Sequence, residues 1–166
     1  MLNTKYFILP GENGAAPQVV QNPEAAGNAW FVSEIKWVEN AEQEMKALDD
    51  FNEKKTVIAD RHFADKIKTN ISAPAAGDTI FLTSYKPNEL KYKSHTSKNN
   101  FAVFSEIYFP WGWHISIDGE PVEMARVNYV LRGLDIPSGD HEIIFRFDPQ
   151  SVSYTHLRAH ETCADL

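Results

Sequence analysis

Residues 101–121, FAVFSEIYFPWGWHISIDGEP, gather the side chains of this chain best suited to hold a sugar. Trp111 and Trp113 stand two residues apart, with Glu106 and His114 close by. Sugar rings stack their apolar face on indole or phenol rings, while carboxylate and imidazole groups read the hydroxyls. The same residues also suit scaffolding. Positions i and i+2 share one face of a strand, Gly112 allows close backbone approach, and Pro110 ends the preceding strand. Buried aromatic rings outnumber ligand-binding ones. Scaffolding is therefore the reading for Gly112, Trp113 and the Asp118-Gly119 turn. Trp111, Trp113 and Glu106 are kept as candidate ligand contacts, Trp111 foremost.

Other chemistry has weaker support. His62, His95, His114 and His141 are scattered singly, with no HxH, HxxxH or HExxH spacing. A zinc site needs three or four convergent ligands, so neither a metal nor a cofactor is expected. Carboxylates are plentiful (Asp49, Asp50, Glu106, Asp118, Asp135, Asp140), but sequence spacing pairs no two of them as a glycosidase requires. GxSxG, GxGxxG and phosphate-loop motifs are missing, so no catalytic residue is assigned. Arg126 and Arg132 lie among apolar neighbours and are expected to hold carboxylates, with Glu106 the foremost partner. Unpaired, a buried carboxylate is costly.

These residues must be positioned by a chain of 166 residues, enough for one domain or one with a small annex. The net charge of −7 offers no electrostatic footprint for nucleic acid. No run of 18 apolar residues occurs, and the N-terminus lacks the pattern of a secretory leader. Residues 152–162, VSYTHLRAHET, match a translated frame of a common transposase sequencing adaptor. The tail 152–166, which carries the only cysteine, Cys163, is therefore expected to be non-native and unpacked. The remaining body has no thiol for a disulfide or a nucleophile.

The spacing predicts α+β architecture: a small α/β annex over residues 1–75, packed on an all-β, jelly-roll-like sandwich over 76–150. Residues 1–9 read as a short strand buried on both faces. AWFVSEIKWVEN reads as one strand with a bulge near Ser33 and Glu34. Asn40 and Gln43 have capping-box spacing, opening a helix of about ten residues with a Met45, Leu48, Phe51 stripe. From Asp78 onward seven short alternating segments are separated by turn residues. Asp118-Gly119 and Ser138-Gly139 are each expected to close a hairpin.

SEIYFPWGWHISIDGE, followed by RVNYVLRGLDIPSGDHEIIFRFDP, resembles the closing motif of the YfhO family of bacterial membrane proteins. The matching positions are Ser105, Glu106, Tyr108, Gly112, Trp113, Asp118, Gly119, Arg132, Pro137, Gly139 and His141. Among these, Gly112, Asp118, Gly119, Arg132 and Gly139 are read as structural. Upstream, MLNTKYFI and NPEAAGNAWFV are similar to segments that precede the motif in that family, and Trp111 departs from the pattern. The resemblance implies a polytopic membrane protein of GT-C type, transferring sugars from lipid-linked donors to cell-surface polymers. It implies that this chain is an extracytoplasmic lobe near the C-terminus, with Met1 internal and a membrane helix following Ser151. The catalytic acid of such a protein would lie in a loop between early membrane helices, outside this chain. The implied partners are membrane helices of the same parent chain and a glycan or lipid-linked sugar. A free-standing carbohydrate-binding module is the alternative.

Overall fold

The structure, a computed structural model, describes residues 2–11 and 16–148. The tail from Val152, read above as non-native, lies outside the described residues. In chain order the elements are β1 (Tyr6–Leu9), β2 (Gln18–Gln21), β3 (Ala29–Val32), β4 (Glu34–Val38), α1 (Ala41–Ala47) and β5 (Thr56–Asp60). A 3-10 helix (Arg61–Lys66) follows, then β6 (Thr79–Lys86), β7 (Glu89–Thr96), β8 (Asn100–Ile107) and β9 (Trp113–Ile117). The last strands are β10 (Glu120–Val122), β11 (Ala125–Val127), β12 (Leu131–Ile136) and β13 (Gly139–Phe147). The described chain is mostly strand, in keeping with the all-β character expected from Asp78 onward.

Two antiparallel sheets share one core. Strands run β10-β9-β13-β7-β6 in the first and β11-β12-β8-β3 in the second. Tyr92 and Phe145 from the first sheet meet Phe104 from the second, edge to face, with centroids 4.9 and 5.0 Å from Phe104. Ile143, Leu134, Ile136 and Phe31 complete this layer. On its other side the second sheet packs Trp30, Val32, Phe101, Val103 and Leu131 against Val57 and Ala59 of β5. Being covered on both faces explains why β8 reads FAVF with no polar alternation.

Residues 28–38 correct the single bulged strand. The chain breaks at Ser33, whose N–H donates to the Lys55 carbonyl at 2.8 Å, and the two halves join different sheets. Strand β3 pairs antiparallel with β8, so this part of the expected annex belongs to the four-stranded sheet. Strand β4 pairs parallel with β5, and α1 makes the crossover between them.

Helix α1 is shorter than expected, seven residues. Its cap is as read: the Asn40 side chain accepts from Gln43 N at 3.0 Å. Gln43 reaches back one residue further than a capping box, accepting from Glu39 N at 3.1 Å. The expected apolar stripe does not form, because Met45 faces solvent while Glu44 is buried.

Two further expectations are corrected. All four residues of β1 are exposed, where burial on both faces was expected, and so are all four of its hairpin partner β2. Pro137-Ser138-Gly139 closes no hairpin, because β12 and β13 lie in different sheets. This turn carries the chain from one layer to the other. The Asp118-Gly119 turn does join two paired strands, β9 and β10, with φ of 51° and 90°. Positive φ at both central residues is the type I′ signature that favours Asp-Gly.

The junction near residue 75 is held by Asp78. Its carboxylate accepts from Ser97 N, Ala75 N and Asn100 Nδ2, and these hydrogen bonds hold it well below the usual carboxylate range.

Candidate functional site

The Asp118-Gly119 turn and the Pro137–Gly139 turn meet through His141. Asp118 Oδ2 lies 2.6 Å from His141 Nδ1, and Asp118 Oδ1 accepts from Glu142 N at 2.9 Å. His141 Nε2 lies 3.1 Å from the Ser138 carbonyl. Carboxylate and carbonyl are both acceptors, so this geometry is satisfied when both ring nitrogens carry protons. The hydrogen bond to Asp118 accordingly raises the His141 pKa, and the same bond lowers that of Asp118.

This clamp forms one wall of a cavity of about 600 Å³. Ile117, Pro121 and Val122 supply apolar lining beside the Glu120 carboxylate, and Asp65, Lys66 and Lys68 form another wall. Asp135 holds that wall in place, accepting from Lys68 N at 2.7 Å and Thr69 N at 3.2 Å. A smaller hollow of about 230 Å³ shares Lys66, Pro121, Val122 and Glu123, and adds Tyr108, Trp113, His114 and Met124. Lys66 and Glu123, 3.6 Å apart, stand at the boundary between the two. Among the described residues, no Ser, Thr or Cys lines the larger cavity, and both ring nitrogens of His141 are engaged. Such a groove can hold and orient a ligand through charge and hydroxyl contacts. Besides His141, its ionisable lining is carboxylate and ammonium, including Asp65, Asp118 and Asp135 with Lys66 and Lys68.

Around Arg132 the structure gathers two of the three residues singled out as ligand contacts. The guanidinium, almost wholly buried, sits 4.3 Å from the Trp113 ring centroid and 5.3 Å from that of Phe145. Its Nε donates to the Ile107 carbonyl at 2.9 Å. Glu106 is partly buried, and burial raises its pKa against the opposing pull of the Arg132 charge. Arg132 therefore acts on Glu106 through its field, where an ion pair was expected. Gly112, at φ 86°, turns its carbonyl to accept from Asp148 N at 2.7 Å. Trp111 is placed apart: it is 71% exposed and meets Phe109 edge to face at 5.2 Å.

A family model described as bacterial membrane protein YfhO matches residues 65–157. The chain belongs to the YfhO family. The matched stretch contains β6 to β13, both hollows and every signature residue from Ser105 to His141; it also takes in residues 152–157 of the tail. No curated protein and no solved structure matches the chain. The YfhO family is one of membrane proteins, and among the described residues no helix is long and apolar enough to cross a membrane.

Within this YfhO chain, sequence reasoning missed the most buried charge. Glu44 on α1 accepts from Tyr129 N at 2.8 Å and meets Arg126 Nη2 at 2.9 Å, with Asp60 3.9 Å from the same guanidinium. Arg126 therefore serves Glu44, not Glu106. Burial raises the Glu44 pKa, and the Tyr129 N–H and Arg126 oppose it. The Tyr129 N–H is presented by two left-handed residues, Asn128 (φ 47°) and Tyr129 (φ 68°). Asn128 is itself locked to Ile58, with N–H donated at 2.8 Å and Oδ1 accepting at 2.8 Å. The signal was the Asn in VNYV, a residue that tolerates this backbone. Glu44 read only as a first-turn acid.

The clamp has a pH signature. A raised His141 pKa adds stability that is fully present below its unfolded value, about 6.5, and is lost as pH rises through the folded value. The lowered Asp118 pKa adds stability present above about 3.9 and lost as pH falls through its folded value. Thermal melts of the parent and His141→Gln should therefore differ most between about pH 4 and 6.5, converging at alkaline pH. A difference constant from pH 5 to 9 would show that the imidazolium contributes nothing.

Proposed function

We propose that this chain is a soluble, non-catalytic lobe of a YfhO-family membrane protein, a β-sandwich with a βαβ unit on its flank. In this reading it lies on the extracytoplasmic side of the membrane. It assists transfer of sugars from lipid-linked donors to cell-surface glycopolymers by positioning the acceptor. Membership of a membrane-protein family is the observation that carries it. Support comes from the groove beside the Asp118–His141 clamp, which offers paired charges and apolar walls. The lobe would work beside membrane helices of its own parent chain.

The test is calorimetric titration of the chain with cell-wall and surface oligosaccharides, together with a turnover assay. The expected result is no turnover and at most weak binding, centred on the groove and reduced by Glu120→Gln. The exposure of Trp111 favours a second reading, a free-standing carbohydrate-binding module. That module would bind oligosaccharide tightly by itself and lose the affinity in Trp111→Ala, with its melting temperature unchanged. Hydrolysis of any glycan would overturn both readings.

A further inference from the structure

Two exposed apolar elements leave the second sheet at the same end. Strands β3 and β8 are antiparallel, with Ala29 opposite Phe104 and Ser105 N donating to the Asn28 carbonyl at 2.9 Å. The chain therefore enters β3 from the β1–β2 hairpin at the point where it leaves β8 for the loop 107–112. In that loop Ile107, Phe109 and Trp111 point to solvent, while Tyr108 turns inward against Phe63 at 5.7 Å. Residues 107–112, IYFPWG, carry no charge, and neither do strands β1 and β2. Of thirteen exposed large hydrophobic side chains among the described residues, nine lie on these two elements. Patches of this kind mark an interaction surface.

We propose that this end of the lobe is a membrane-interface contact, with the Ile107–Trp111 loop and the β1–β2 hairpin seated in the headgroup layer of a bilayer. The inference rests on the membrane half of the function proposed above and is independent of the sugar half. Three observations select lipid over a protein partner. The hairpin is exposed on both faces, and a single protein surface covers one face of a two-stranded ribbon, whereas a lipid interface wets both. Its unpaired strand edges remain hydrated among headgroups, as they could not in the hydrocarbon core. Tryptophan and tyrosine prefer that layer, and the family places a bilayer within reach of the lobe. The net charge of −7 opposes anionic lipid, so the attraction must be apolar.

The experiment is flotation of the full chain with phosphatidylcholine vesicles, and with vesicles of phosphatidylcholine mixed with phosphatidylglycerol, read alongside tryptophan emission. The chain should float with phosphatidylcholine at both low and high salt, with a blue shift in emission. Phosphatidylglycerol should weaken binding at low salt. Partitioning should fall by about tenfold or more in the Phe109→Ala/Trp111→Ala pair, given the apolar area involved. Phe81→Ala, exposed on the other sheet, should leave partitioning unchanged. No flotation with either vesicle would overturn the proposal, and so would flotation that needs phosphatidylglycerol and is lost in salt. Concentration-dependent self-association that buries Trp111 without vesicles would assign this end to a second copy of the chain instead. A glycan that quenches Trp111 while vesicles do nothing would assign it to sugar. The vesicle result and the oligosaccharide titration vary independently, so failure of one leaves the other standing.

Discussion

Glu44→Ala should destabilise the chain by about 3–5 kcal/mol, the cost of breaking a buried ion pair from one side. The carboxylate is completely buried, and its loss leaves the Tyr129 N–H without its acceptor and Arg126 with the Tyr129 carbonyl at 2.7 Å and the more distant Asp60. Arg126 also lies 5.4 Å from the Phe63 ring centroid and 5.3 Å from that of Tyr129, so Arg126→Ala removes packing as well as charge. The double variant should cost clearly less than the sum of the single ones, because each single change strands the other's partner. Glu44→Gln should be milder than Glu44→Ala. It keeps an acceptor for Tyr129 N, and burial already pushes Glu44 toward its neutral form. Urea denaturation of the four variants measures this. Additive costs, or a Glu44→Ala penalty below about 1 kcal/mol, would mean that the pair does not join the βαβ unit to the sheet.

Gly133→Ala should cost about 1–3 kcal/mol, more than a surface alanine substitution ever does, through overpacking. A methyl group built on Gly133 would stand 2.5 Å from Phe101 Cζ and 2.8 Å from Cε1, with Val127 Cγ1 at 3.1 Å. Phe101 is fully buried in the second core cluster with Trp30 and Leu131, and close packing there leaves its ring little room to move. The rescue is specific. Phe101→Leu alone opens a void and destabilises, but combined with Gly133→Ala it should be more stable than the sum of the two costs predicts. If the double variant is simply additive, the ring and the glycine are not the contact that limits this layer.

Local residue chemistry determined a large part of this protein. Alternation and turn residues are properties of neighbours along the chain, and they placed six of the eight strands from Thr79 to Phe147; the segment 122–127, read as one strand, is divided between β10 and β11 in different sheets. Asp118-Gly119 specified its own turn, since both positions need positive φ and few residue pairs accept it. Asn40 specified the start of α1 for a similarly local reason, a side-chain oxygen reaching an N–H three residues on. The apolar run of β8 announced a strand buried on both faces, and with it the partial burial of Glu106.

What only the tertiary structure decided are the pairings between distant residues. Arg126 and Arg132 look alike in sequence, each set in a strand among apolar neighbours. They are separated by which layer they face, Arg126 toward α1 and β5, Arg132 toward Trp113 and Phe145. The break at Ser33 and the crossing at Pro137–Gly139 depend on where Lys55 and the opposite sheet lie. No local period encodes that. Helix α1 shows the principle most sharply: its pattern favoured Met45 as the buried contact, yet Glu44 is buried, because Arg126 and the left-handed Tyr129 amide wait more than eighty residues away to receive a carboxylate. Burial of a charge is decided by its partner, and a partner brought close by folding is invisible to any window along the chain.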